Sequence, residues 1–379
     1  MKKCVIIPDS FKGSLDSIEI CNLAAAKVKK FFPDCETVSL PVADGGEGTV
    51  ESFLNAMKGE RIAVSVHGPY MEPTESFYGR FGNLAVIEMA AAAGYSMVGD
   101  RKNPMLTTTY GVGELMRHAI EHGANQIILG LGGSCTNDAG CGCASALGVK
   151  FCKADGSEFV PTGGTLEQVA SIDISAAKTL LDGCEITAMC DIENPMHGIN
   201  GAAHIFGPQK GADEEMVKEL DRQMILLDQT MQHSLKIESV SQLAGAGAAG
   251  AMGAGVVAFL GGKLKSGIET VLDIVEFDRI IKGADAVFTG EGKIDGQSLR
   301  GKVVIGVSRR AMKQDVPVYA IVGDVGDDAL GAYDMGVTAI FSINRVAVPF
   351  SVAKTRSKAD FQSAFEDILR LILAVEKSR

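Results

Sequence analysis

Residues 130–142, Gly-Leu-Gly-Gly-Ser-Cys-Thr-Asn-Asp-Ala-Gly-Cys-Gly, restrict what this chain can fold into more than any other stretch. They follow the apolar run 126–129 and lead into the helix-compatible residues 143–147. An apolar strand that opens through glycines, hydroxyls and a carboxylate into a helix is how many α/β proteins offer backbone N–H groups to an anion. The plainer alternative is that the glycines only permit positive φ and close helix–strand packing, with no ligand.

Other junctions repeat the pattern. Residues 3–8 read as a buried strand, and a helix is expected over 15–31; between them lie Asp9, Ser10, Lys12 and Ser14. A second strand at 37–40 ends in Pro41-Val42-Ala43-Asp44-Gly45-Gly46-Glu47-Gly48-Thr49. In α/β sheets such strand ends carry ligand groups. Further strands are expected at 61–66, 84–88, 186–189, 286–288, 318–322 and 337–341. Thr107, Thr108 and Thr109 are N-cap candidates for a helix that buries Val112, Leu115, Met116 and Ala119. A charged helix begins near Asp213, and Ser357 with Asp360 resembles a capping box opening the last helix. Residues 239–262 carry no charge but are mostly Gly and Ala, too weakly apolar for a membrane span, and read as a glycine-rich turn before a buried helix.

Regular βαβ order at both ends, with irregular material between, predicts an α/β protein. Its Rossmann-like parallel-sheet domain is discontinuous, formed by residues 1–68 and 285–379, and is interrupted by a second α/β domain at 69–284. A length of 379 residues suits two domains. The net charge of −11 disfavours a nucleic-acid partner, and nine cysteines without CxxC pairs fit a reducing, cytoplasmic setting. Residues 4–8 are too short an apolar run for an export signal.

Familiar nucleotide motifs fail. Residues 130–135 lack the third glycine of a dinucleotide fingerprint, and Gly296 to Lys302 matches a P-loop only until Val303 replaces the required Ser or Thr. What remains is a set of glycine-associated loops: Asp9/Ser10/Lys12, Asp44/Glu47/Thr49, Ser134/Asn137/Asp138, Asp191/Asn194, Gln209/Lys210 and Glu291/Lys293/Asp295/Ser298. Phosphoryl transfer calls for this inventory, because its catalysis is mostly positioning and neutralisation of phosphate charge. Each loop alone could be an ordinary turn.

Five motifs together resemble the bacterial glycerate kinases of the first type: residues 9–14 (DSFKGS), 41–49 (PVADGGEGT), 132–140 (GGSCTNDAG), 206–212 (FGPQKGA) and 289–295 (TGEGKID). The resemblance implies ATP-dependent phosphorylation of D-glycerate with Mg2+, generally giving 2-phosphoglycerate, in a two-domain fold with the active site in the cleft between domains. On that footing Asp191 is expected as general base, with Lys12, Lys293 and Arg300 neutralising phosphoryl or carboxylate charge. Asp44, Asp295 and Glu47 would hold Mg2+. Ser10, Ser134, Asn137, Asp138 and Lys210 would contact substrate or phosphate, with Gly132, Gly133, Gly290 and Gly292 letting backbone come close. No nucleic-acid or membrane partner is expected, and the chain is expected as a monomer or homodimer. The residues also leave open a kinase of another small hydroxy acid, or a non-catalytic two-lobed carboxylate-binding protein; an NAD-linked oxidoreductase is disfavoured by the missing fingerprint.

Overall fold

The computed structural model describes residues 1–378 except Lys12, Ala43, Asp44 and Glu47, and for Arg300 the backbone only. Its strands are β1 (Lys3–Pro8), β2 (Glu36–Ser39), β3 (Glu60–His67), β4 (Pro73–Phe81), β5 (Leu84–Glu88), β6 (Gln126–Gly130), β7 (Lys150–Cys152), β8 (Glu158–Phe159), β9 (Ser171–Asp173), β10 (Glu185–Met189), β11 (Lys263–Lys265), β12 (Ala286–Ile294), β13 (Val318–Val325) and β14 (Ala339–Ser342). The chain divides into two compact units. Unit 1 comprises Met1–Asp44, Glu51–Met57 and Ser266–Arg379; unit 2 comprises Gly45–Val50 and Lys58–Lys265. Strand β3 therefore lies in unit 2 and the helix Gly267–Ile274 in unit 1, across the divisions at 68/69 and 284/285 drawn from sequence.

Unit 1 holds an all-parallel sheet in the order β14-β13-β12-β1-β2. Its β1 is a continuous apolar run, Cys4 to Ile7, because both faces of the sheet are covered. On one face Ile6, Phe288 and Ile321 pack against the helices Ser17–Phe31 and Phe350–Lys377. Asp16 starts the first of these by accepting the Glu19 N–H at 2.7 Å. On the other face Ala320 and Val322 pack against Val304 and Ile305 of the helix Val303–Met312. Within the unit the strand order is the doubly wound 2-1-3-4-5, so the crossovers diverge between β1 and β12.

Unit 2 is built on a mixed sheet, β11-β10-β6-β5-β4-β3, with β5, β6, β10 and β11 parallel and β3-β4-β5 an antiparallel meander. Beside it stands a small sheet, β8-β7-β9. The helix Tyr110–Glu121 buries Val112, Leu115, Met116 and Ala119, the expected face. The helix Glu214–Leu235 starts where Asp213 accepts the Met216 N–H at 2.8 Å.

Two local expectations change. The last helix begins at Phe350 after Pro349, seven residues before Ser357. Ser357 Oγ therefore donates to the Ala353 carbonyl at 3.3 Å and Asp360 pairs with Arg356 at 3.1 Å, both interior helix interactions instead of a cap. The Gly/Ala stretch does give a buried helix, Ala248–Leu260, but Ala249, Gly250 and Ala251 within it are all left-handed, with φ of 54°, 68° and 67°. Among the described residues no helix is long and apolar enough to cross a membrane.

Candidate active site

In unit 2 the parallel strands end level with one another: Glu88, Gly130 and Met189 are register partners across β5, β6 and β10. The loops that leave this row, together with Gly45 and Gly46, form one cluster. Gly132 N–H donates to the Gly45 carbonyl at 2.9 Å, and a Cβ at Gly132 would overlap Gly46 Cα. Here glycine is required because two backbones touch. Glu88, an acid the sequence reading passed over, accepts the Val50 N–H at 2.6 Å at the start of the helix Thr49–Ala56.

The loop after β6 is held by its own buried carboxylate. Asp138 Oδ2 accepts from the Thr109 N–H (2.8 Å), the Thr109 hydroxyl (2.8 Å) and the Gly142 N–H (3.2 Å), while Oδ1 accepts from the Gly140 N–H at 3.1 Å. It is wholly buried. Burial lifts its carboxyl above the ordinary value, and the Thr109, Gly142 and Gly140 donors pull against that. Its oxygens thus tie the glycine loop to the starts of two helices, Tyr110–Glu121 and Cys141–Ala146. Thr107 and Thr109, expected as N-caps, serve the same loop: Thr107 Oγ1 donates to the Cys135 carbonyl at 3.1 Å. From the other side the left-handed turn clamps it. Ala139 N–H donates to the Gly250 carbonyl at 3.0 Å, and a Cβ at Gly250 would overlap Thr136 O.

Inside this frame sits Lys210, delivered by the short turn Pro208–Lys210. Its Nζ donates to Ser134 Oγ at 2.9 Å and to the Thr136 carbonyl at 2.6 Å, leaving one ammonium proton over. It is 2% exposed, and among the described residues no carboxylate lies within ion-pair distance. Burial pulls its pKa down to about 8, with Cys135 and Asp138 raising it. Beside it both polar side-chain atoms of Asn137 and the Thr136 hydroxyl are buried without a hydrogen-bond partner among the described residues. Ser134, Asn137, Asp138, Gly132, Gly133 and Lys210 are therefore one constellation. Asp191 leaves the neighbouring strand end, exposed to solvent, in the loop that Gly247 anchors by donating to the Asn194 carbonyl at 2.9 Å.

In unit 1 the described expected residues Ser10, Gly290, Gly292, Lys293 and Asp295 lie in or just after β1 and β12. Asp9 N–H donates to the Gly290 carbonyl at 2.8 Å and Ser10 N–H to Asp9 Oδ1 at 2.7 Å. Gly290 is close to the Ile321 carbonyl, and Gly292 to Gly323. Lys293 is half exposed, 3.9 Å from Asp324. Asp295 Oδ1 accepts the N–H groups of Gln297 (3.0 Å) and Ser298 (3.3 Å), and Arg300 ends the short helix Ser298–Arg300. Glu291, a carboxylate between two glycines at the end of an apolar strand, joins these residues without a role among the sequence expectations. It is buried, with Oε1 unpartnered among the described residues.

Lys12, Asp44 and Glu47 lie outside the described residues. Among the described residues no group of three His, Cys, Asp or Glu side chains is gathered where it could hold a metal ion, and Asp295 Oδ1 accepts the Gln297 and Ser298 N–H groups.

A sequence model of the Glycerate kinase family matches residues 4–373. A glycerate kinase of Bacillus cereus is 48% identical over 344 residues, 90% of each chain. A glycerate 2-kinase of Escherichia coli K12 is 45% identical over 344 residues, again 90% of each. Among solved structures, a Salmonella typhimurium LT2 protein assigned as a glycerate kinase 2 superposes with a TM-score of 0.88 at 39% identity, covering 99% of both chains. Family motifs, fold and relatives agree over nearly the whole length, and the chain belongs to the glycerate kinase family.

Proposed function

We propose that the chain transfers the γ-phosphoryl group of ATP to the 2-hydroxyl of D-glycerate by in-line displacement, giving 2-phosphoglycerate and ADP. The observation that carries the reading is Lys210, a buried ammonium fixed by Ser134 and Thr136 with a proton to spare and no carboxylate partner among the described residues. A desolvated cation of this kind suits a small carboxylate, and the uncommitted amide of Asn137 supplies a donor and an acceptor for substrate hydroxyls. Ser134 holds the ammonium in place, and Asp138 keeps the loop rigid.

Asp191 takes the proton of the attacking hydroxyl as the oxygen–phosphorus bond forms and the bond to ADP breaks. Ser10, Lys12, Lys293 and Arg300, with the backbone at Gly290 and Gly292, attend the phosphate charge. When bound, Mg2+ supplies neutralisation of the phosphate oxygens; its assignment to Asp44, Glu47 and Asp295 rests on family resemblance alone. Phosphorus NMR of a reaction with D-glycerate and MgATP should show 2-phosphoglycerate; 3-phosphoglycerate would overturn the regiochemistry, and no phosphoester, with turnover of lactate or glycolate instead, would overturn the substrate. Asp191→Asn should lower kcat by roughly 10²–10⁴-fold with the fold intact; near-normal turnover removes Asp191 from that role.

A further inference from the structure

Three consecutive residues at the start of the helix Ala248–Leu260 are left-handed, and two of them, Ala249 and Ala251, carry a side chain that disfavours that hand. Alanine is the best of the right-handed helix formers, so nothing in the local sequence asks for such a turn. Strain of this kind persists where the surroundings over-determine it.

The middle residue of the turn meets one particular peptide. A Cβ at Gly250 would stand 2.0 Å from the Thr136 oxygen and 2.6 Å from Asn137 Cα, so the turn lies directly against the unit that joins Thr136 to Asn137. The Gly250 carbonyl fixes the same loop further on by accepting the Ala139 N–H at 3.0 Å. That Thr136 oxygen is one of the two acceptors of Lys210 Nζ, at 2.6 Å, the other being Ser134 Oγ at 2.9 Å. A hydroxyl turns with its side chain, whereas a carbonyl moves only with its planar peptide. The fixed end of the ammonium's support is therefore the end that the turn backs.

We propose that Gly250 is a positioning residue for the phosphorylation reaction: lacking a side chain, it lets the left-handed turn lie against the Thr136 carbonyl and so holds that oxygen where it orients the Lys210 ammonium. The inference rests on the reading of Lys210 as the partner of the substrate carboxylate. A contact needed only for packing would change how much protein folds, not how the folded protein binds glycerate.

Initial rates of Gly250→Ala, its fold checked by calorimetric unfolding, test it. Driving the Thr136 oxygen off the ammonium removes a charge-assisted acceptor and favours the neutral amine. The alkaline limb of kcat/KM for glycerate should therefore move down from about 8 by about one pH unit. Cys135 and Asp138, the ionisable groups that face Lys210, both raise it and are the same in both proteins. KM for glycerate at pH 7 should rise roughly tenfold, with KM for ATP unchanged. In a Lys210→Met background the same substitution should change KM for glycerate by less than about twofold, because the group it acts through is gone. If Gly250→Ala does not fold, Ala249→Val carries the test. Position 249 is half-buried, and a branched side chain there biases the turn away from the left-handed region without a Cβ at 250, so limb and KM should move the same way by less. A fall in kcat alone, with the limb and KM for glycerate unmoved, marks a packing contact and overturns the proposal, as do losses that multiply across Gly250→Ala and Lys210→Met. The proposed function survives that failure; if Lys210→Met itself leaves KM for glycerate unchanged, the reading of Lys210 and the proposal fall together.

Discussion

Replacing Glu291 by Gln in the ligand-free protein should stabilise unit 1, and by an amount that grows with pH. The carboxyl holds its proton to about 7 in the folded chain against 4.5 in the unfolded one. A raised carboxyl carries no penalty below the unfolded value; the penalty grows as pH climbs between the two and is complete above the folded one. At about 1.4 kcal/mol per pH unit the full penalty is roughly 3 kcal/mol at pH 8.5, and about 1 kcal/mol of it is already present at pH 5.5. Gln has the same shape and no charge to desolvate. Its advantage over the wild type should therefore rise by about 2 kcal/mol across that window, about 4–8 °C in the midpoint of the unit 1 transition for a unit of this size. Differential scanning calorimetry of both proteins at the two pH values measures it. The comparison is the change in the difference, which removes any fixed gap between Gln and a protonated Glu. A difference that stays constant or shrinks with pH would refute the reasoning, because it would mean that the carboxylate finds compensation that the burial of Oε1 denies it.

Lys210, pulled down to about 8, should impose an alkaline limb: kcat/KM for glycerate falls as pH passes about 8 and the ammonium loses its proton. Lys210→Met should lower kcat/KM at pH 7 by roughly 10²–10³-fold in initial-rate assays, whereas a flat profile to pH 9.5 argues against the cation. Asp138→Asn sets an amide NH2 among the donors Thr109, Gly140 and Gly142, and should cost about 2–3 kcal/mol in urea unfolding of unit 2; a change under about 0.5 kcal/mol would show the bonds to be dispensable. Ala249→Gly relieves a left-handed alanine and should gain about 1 kcal/mol in the same assay, a loss counting against strain at that turn.

What the sequence made legible was whatever local chemistry decides. The apolar run 3–8 and the helix beginning at Asp213 could be read because strand burial and an N-cap are written in adjacent residues. β4 was missed because it opens on Pro73 and carries Glu75 and Arg80, and its pairing comes from β3 and β5. The candidate site divides similarly. Gly132, Ser134 and Lys210 were identifiable as loop chemistry, but that Asp138 spends its oxygens on Thr109 depends on a contact across 29 residues. Glu291 stood among the loop acids from the start; its distinction comes from a buried oxygen unpartnered among the described residues, which no motif encodes.

The register of β1 against β12, with Cys4 beside Ala286, also dictates the order in which the protein can be assembled. The first strand leaves the ribosome some 280 residues before the strand that completes its pairing, a delay of roughly 15–60 s at common elongation rates. Unit 2, whose last strand ends at Lys265, can close in that interval. The nascent amino-terminal strands wait with an apolar edge open, the condition under which chains recruit chaperones or aggregate. A chain truncated after Lys265 should accordingly protect the β5-β6-β10 amides from hydrogen exchange while leaving those of β1 unprotected.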